Sequence, residues 1–330
     1  MTKRVRITRK IPEAGLWPLR EAGWDVEVYE GTRPIPRNEL LNFVRGADGL
    51  ITLVSERVDD ELLAAAGPQL EVVANFAVGF NNIDLAACTR HGVVVTNTPD
   101  VLTGATADMT LALLLAVARR VVEGDELVRS GRWPGWAPEQ LLGLGLEGKA
   151  LGLVGMGRIG AAVARRALGF GMDVFYHNRS RDPKAEAELG AHYVADLQTL
   201  LAECDIVSLH TPLTAETRHL IGEAELRAMK REAILINTAR GAVLDEVALV
   251  RALRDGVIWG AGLDVFENEP SLTPGLAELP NVVLAPHLGS ATRQARDGMA
   301  RICAASILAV FRGERPAHML NPGAAGAPPA

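Results

Sequence analysis

Leu151-Gly-Leu-Val-Gly-Met-Gly-Arg-Ile-Gly160 is the stretch on which the fold turns. It places Gly155, Gly157 and Gly160 as G-x-G-x-x-G, after an apolar run at 150–154 and before a helical segment at 159–168. The spacing alone is weak, but a strand before it and a helix after it make it a dinucleotide-binding turn. Gly155 permits the tight bend, Gly157 lets backbone approach a pyrophosphate, and Gly160 lets the helix lie close to the strand. The helix start, at Arg158 and Ile159, offers unpaired N–H groups and partial positive charge to phosphates.

Outward from the turn, the pattern repeats. Further strands are expected at 173–176, 206–210, 233–237, 259–263 and 282–285, with helices between them and a final helix at 291–312. Upstream, strands at 5–8, 24–29, 49–53, 70–74 and 93–96 alternate with helices at 13–21, 39–45 and 59–66. Such alternation implies parallel sheets covered by helices on both faces. The chain is therefore read as α/β, with two Rossmann-like or flavodoxin-like domains and an active-site cleft between them. Between the two series, a long helix is expected from about 105 to 130, apolar on nearly all sides around 111–117 and hence deeply buried. The segment 131–145, with Trp133 and Trp136, reads as an ordered excursion, and the small-residue and proline tail 322–330 as disordered.

The strand after the glycine turn ends at His177-Asn178-Arg179-Ser180-Arg181. An acid about 20 residues past the turn would accept the ribose 2′-hydroxyl of NAD. None stands there before Asp182; Arg179 and Arg181 flank Ser180 instead, a set suited to a 2′-phosphate. NADP(H) is favoured over NAD(H), with Asn178, Arg179, Ser180 and Arg181 as cofactor candidates.

Each later strand also ends in polar residues. His210-Thr211-Pro212, Asn237-Thr238-Ala239-Arg240-Gly241, Leu263-Asp264 and Ala285-Pro286-His287 should gather on one sheet edge beside the dinucleotide, with Thr211 and Ala239 as further contacts. Reducing a 2-keto acid needs a cation to hold the carboxylate and polarise the ketone, an acid to protonate the nascent alkoxide, and an anion to keep that acid charged. Arg240, His287 and Glu269 supply one of each. His91, His192, His219 and His318 are expected in exposed helices or loops.

Composition narrows the rest. A chain of 330 residues fits two domains. A net charge of −6 argues against a nucleic-acid partner; Lys3, Arg4, Arg6, Arg9 and Lys10 read as flanks of a first strand. Cys88, Cys204 and Cys303 show no metal-ligand spacing, so no metal is expected, and their sparseness suits a reducing compartment. Neither a signal peptide nor a membrane span is expected, which points to the cytoplasm.

Five further stretches carry a resemblance: Ala77-Val-Gly-Phe-Asn-Asn-Ile-Asp84, Thr96-Asn-Thr-Pro-Asp-Val-Leu-Thr-Gly-Ala-Thr-Ala-Asp108, Ile236-Asn-Thr-Ala-Arg-Gly241, Gly260-Ala-Gly-Leu-Asp-Val-Phe-Glu-Asn-Glu-Pro270 and Ala285-Pro-His-Leu-Gly-Ser-Ala291. With the glycine turn, they resemble the D-isomer-specific 2-hydroxyacid dehydrogenases, and among them the glyoxylate/hydroxypyruvate reductases, from about residue 45 to 321. The resemblance implies catalysis by Arg240, Glu269 and His287, with His287 as proton donor. It implies backbone amides of Val78 and Gly79 on the substrate carboxylate, and cofactor contacts at Thr106, Thr238, Asp264 and Gly289. It implies a discontinuous substrate domain, 1–98 with 289–330, a cofactor domain, 99–288, and a homodimer with the long helix in its interface. Two departures stand out: Phe80-Asn81 where the family reads Tyr-Asp, and Gln140 where relatives carry a tryptophan that reaches the partner's substrate site. Alternatives are a phosphoglycerate- or 2-ketogluconate-type dehydrogenase, or a non-catalytic dinucleotide-sensing corepressor on the same fold. The short end after the last helix leaves no regulatory extension expected.

Overall fold

The structure is a computed structural model that describes residues 2–324. It divides into two compact units: residues 1–102 with 291–330, and residues 103–290.

The first unit is built on β1 (Arg4–Ile7), β2 (Asp25–Val28), β3 (Gly49–Thr52), β4 (Val72–Asn75) and β5 (Val94–Thr96), all parallel, in the order β2-β1-β3-β4-β5. β3, β4 and β5 are buried along their whole length, as strands covered on both faces must be. The chain returns to this unit in the helix Arg293–Phe311, capped by the Thr292 hydroxyl on Ala295 N–H at 3.2 Å.

The second unit holds β6 (Ala150–Val154), β7 (Asp173–His177), β8 (His192–Tyr193), β9 (Ile206–Leu209), β10 (Ile234–Asn237), β11 (Gly260–Leu263) and β12 (Val282–Leu284), also all parallel. Their order is β12-β11-β10-β9-β6-β7-β8. Successive side chains on a strand point to opposite faces. Ile234 and Ile236 of β10 accordingly join one core with Leu111, Leu114, Val163 and Tyr176, while Leu235 joins the other with Leu200, Leu226 and Leu249. Helices thus cover both faces. Strand order reverses direction between β6 and β9, the place where such sheets open a ligand crevice at their carboxyl ends.

The structure differs from the sequence reading in four places. The single helix expected at 105–130 is two, Thr103–Ala118 and Val121–Arg129, because Arg120 takes a left-handed backbone with φ 51°. The strand β8 was not expected; it places His192 on a sheet edge rather than in a helix or loop. His318 is half-buried rather than exposed. The start of the tail, residues 322–324, forms a turn with Ala324 buried, and the rest of the expected disordered tail lies outside the described residues. Among the described residues, no helix is long and apolar enough to cross a membrane.

Candidate active site

Because all seven strands of the second unit run the same way, every strand-end segment opens on one edge. Gly155 follows β6 with φ 106°, and a Cβ there would sit 2.7 Å from the His210 carbonyl oxygen beyond β9. A Cβ on Gly160 would collide with the Gly155 oxygen, so helix and turn touch. Above Gly157 there is open space within 4 Å. The Thr211 hydroxyl, on the neighbouring strand end, is buried without a hydrogen-bond partner in the protein. An open glycine face, the N-terminus of the helix Arg158–Leu168 and an unsatisfied buried hydroxyl fit the phosphates of a dinucleotide.

Other cofactor candidates are placed around this turn. Asn178 Oδ1 accepts the Met156 N–H at 2.8 Å and so braces the turn itself. Arg179 and Ser180 are exposed. Arg181 is engaged by Glu186 at 3.0 Å and lies over the Tyr193 ring; hydrogen bonds from Arg181 and Tyr176 hold the Glu186 carboxyl down to about 2. Thr238 and Thr110 share a hydroxyl hydrogen bond of 2.9 Å, and Thr106 lies against the place a Cβ on Gly289 would occupy. His210 is a half-buried neighbour of the turn. Its Nε2 meets Ser208 Oγ at 2.9 Å, and burial lowers it to about 4, so it is neutral at pH 7 and suited to packing rather than acid catalysis.

At the ends of β10, β11 and β12 the structure brings three predicted residues together. His287 Nδ1 and Glu269 Oε2 are 2.9 Å apart, and Glu269 Oε1 accepts the Phe266 N–H at 3.0 Å. Burial raises the Glu269 carboxyl, but the hydrogen bond and charge of His287, the Phe266 amide and the Arg240 charge outweigh it, and the net shift is downward. Glu269 is therefore an anion at neutral pH. Burial lowers the Arg240 guanidinium from its ordinary value while Glu269 opposes that shift; an arginine so placed stays charged.

Asp264 positions the histidine. Its carboxylate accepts the amides of Leu288 at 2.6 Å and Gly289 at 2.7 Å, and its carbonyl accepts the His287 amide at 2.9 Å. Burial raises the Asp264 carboxyl, opposed by those two amides. The clamp holds His287 at φ 55°, a backbone that a non-glycine residue adopts only under such constraint.

In the first unit, the Val78–Gly79 turn follows β4. The Ala77 carbonyl accepts the Thr98 N–H at 2.9 Å, Asn97 donates to the Val78 carbonyl at 2.7 Å, and Asn75 donates to the Gly79 carbonyl at 2.9 Å. Each peptide is planar, so pinning the Ala77 and Val78 carbonyls fixes where the Val78 and Gly79 N–H groups point, and pinning the Gly79 carbonyl fixes the next amide. Sequence reading missed Asn75 and Asn97. An asparagine closing an apolar run is their only signal in the sequence.

The sequence signature "D-isomer specific 2-hydroxyacid dehydrogenase, NAD binding domain" matches residues 111–289. The chain belongs to this family. This D-2-hydroxyacid dehydrogenase is 54% identical over 325 residues to a protein named glyoxylate reductase from Thermococcus litoralis, covering 97% of each chain. It is 52% identical to one of the same name from Aeropyrum pernix, covering 96% of each. Among solved structures, the TT0316 protein from Thermus thermophilus superposes with a TM-score of 0.90 at 53% identity, covering 96% of this chain and 99% of that one. An NADPH-dependent glyoxylate/hydroxypyruvate reductase from Sinorhizobium meliloti, in complex with NADP and malonate, gives 0.85 at 34% identity, covering 99% and 98%. The dehydrogenase is thus an enzyme that uses a nicotinamide dinucleotide, and its fold is the two-sheet α/β architecture of these relatives.

Proposed function

We propose that the dehydrogenase reduces glyoxylate and hydroxypyruvate to glycolate and D-glycerate, with NADPH favoured over NADH. The observation that carries this reading is the 2.9 Å His287–Glu269 pair, with Arg240 close enough to act on it, on the same sheet edge as the glycine turn. The dinucleotide, when bound, supplies the hydride. Arg240 holds the keto acid and polarises its carbonyl through a planar fork of donors. His287 gives a proton to the carbonyl oxygen, and Glu269 holds the imidazole by Nδ1, leaving Nε2 for the substrate. The amides of Val78 and Gly79 are the proposed carboxylate grip of the first unit. Thr106, Gly155, Gly157, Arg158, Ile159, Gly160, Asn178, Thr211, Thr238, Ala239, Asp264 and Gly289 are proposed for the dinucleotide side.

Support for the 2′-phosphate comes from the end of β7. Asp182, the first acid past that strand, is spent as a helix cap: its Oδ1 accepts the amides of Lys184 and Ala185, each at 3.1 Å. Arg181 is drawn to Glu186, which leaves Arg179 and Ser180 as the better candidates for the phosphate. A panel of keto acids assayed with NADPH and with NADH tests the whole reading. Glyoxylate and hydroxypyruvate should give the highest kcat/KM, and NADPH should exceed NADH. A clear NADH preference would reject the cofactor assignment; no turnover of either keto acid would reject the substrate class.

A homodimer is proposed for the second unit's outward arm. Val121, Val122, Val128, Trp133, Trp136 and Leu142 are all exposed, Trp136 by 83%. So much apolar surface in one continuous segment suits burial against a second copy. Gln140, at the position where relatives carry tryptophan, accepts the Trp133 indole N–H at 3.1 Å within its own chain. Light scattering should give twice the mass of one chain; a single mass of 35.2 kDa would exclude the dimer.

A further inference from the structure

The loop that carries Glu269 is held from behind by groups with no part in the reaction described above. Glu246 opens the helix Glu246–Arg254 and is only 1% exposed. One of its oxygens accepts the Glu267 amide at 2.7 Å; the other accepts the Thr273 hydroxyl at 2.6 Å. The adjacent Phe266 amide is the one that binds Glu269 Oε1. Two successive amides are therefore each fixed by a carboxylate, one in the site and one behind it. Charged acceptors make the stronger hydrogen bonds, so this is a stiff arrangement.

The side chain of Glu267 is tied as well. It receives His219 Nε2 at 2.7 Å and Arg218 Nη2 at 3.1 Å. His219 has φ 51°, and its amide donates to the Ala242 carbonyl at 2.8 Å, two residues past Arg240. Gly241 completes the brace: a Cβ there would collide with the Phe266 carbonyl carbon, so the Arg240 segment and the Glu269 loop are in backbone contact.

We infer that Glu246 and Glu267 are positioning residues for the catalytic pair, Glu246 by fixing the backbone that orients Glu269 and Glu267 by latching that loop to Arg218 and His219. The inference rests on Glu269 and His287 being the reacting pair. Displacing a catalytic group by about 1 Å can cost on the order of 100-fold in rate. Charged groups facing Glu269 are His287, Arg240 and Asp264, and none of them touches Glu246 in the hydrogen bonds above.

The test compares Glu246→Ala, Glu246→Gln and Glu267→Gln with Glu269→Gln as the reference. Removing the Glu269 anion disfavours the imidazolium, so in Glu269→Gln reduction falls off at a lower pH on the alkaline side. Glu246→Ala should lower kcat by about 10- to 100-fold, leave NADPH affinity by fluorescence titration unchanged, and move the alkaline limb in the same direction. Glu246→Gln keeps an acceptor for the Glu267 amide and should recover most of the rate. Glu267→Gln, which keeps an oxygen for His219 and Arg218 but removes the charge of the latch, should show a smaller change of the same kind. A lower melting temperature with parental kcat and pH profile would make Glu246 a fold brace only and overturn the inference. If Glu246→Ala does not fold, parental kcat and pH profile in Glu267→Gln overturn it instead. An inactive His287→Gln beside normal Glu246 and Glu267 variants would sink the positioning roles and leave the proposed reaction standing. A fully active His287→Gln would sink both.

Discussion

His287→Gln should bind the nicotinamide dinucleotide as the parent does and turn over roughly 10²- to 10⁴-fold more slowly, the range that a lost general acid costs. Glutamine can still accept or donate a hydrogen bond near Glu269, so the loop has no reason to collapse. It has no proton to give to a developing alkoxide. Cofactor affinity should hold because the glycine turn proposed for the phosphates lies at the end of β6, and the Asp264 clamp behind His287 binds backbone amides that the substitution leaves in place. Single-turnover reduction of glyoxylate, followed at the nicotinamide absorbance, separates chemistry from binding. Turnover within a few-fold of the parent would remove His287 from the chemical step.

The reason this residue could be picked from sequence is the geometry of a parallel sheet. Apolar runs of four or five residues mark the strands, and the first polar residues after each run must fall on a common edge. Arg240, Asp264 and His287 were legible on that ground, as were Gly155, Gly157 and Gly160. What was not legible depends on contacts distant in sequence. Nothing in Ala118-Arg119-Arg120-Val121 signals a helix break, since it has neither glycine nor proline. The break follows from a long-range cap: the Leu144 amide donates to the Ala118 carbonyl at 2.8 Å, and Arg120 turns onto Glu123 at 3.0 Å. Glu246 looks in sequence like an ordinary acid in the first turn of a helix. Only its burial and its two partners, 21 and 27 residues away, separate it from a solvated one. The sequence marks Arg181 as a phosphate ligand; its pairing with Glu186 adds a competitor five residues downstream.

Arg240→Lys should lower kcat/KM for the keto acid by roughly 100- to 1,000-fold, about 2.7–4 kcal/mol of transition-state stabilisation. The backbone beneath this residue is rigid: Asn237 donates to the Arg240 carbonyl at 2.9 Å and accepts the Ala239 amide at 3.0 Å. One arm of the guanidinium, Nη1, donates to the Ala239 carbonyl at 2.6 Å, which fixes the plane of the fork. An ammonium at the same depth loses on two counts. It cannot present two parallel donors to a carboxylate and a ketone oxygen. Burial, which already lowers the guanidinium, acts on a group whose ordinary value is far lower and favours the neutral amine. The loss should appear in both constants if, as proposed, the fork grips the ground-state carboxylate and, more strongly, the oxygen that gains charge. NADPH affinity should be unchanged. Raising the pH should widen the gap between variant and parent, since only the lysine can lose its proton in the accessible range. A variant with parental kcat/KM, or a gap that does not change with pH, would place Arg240 outside the substrate's reach or show its charge to be dispensable.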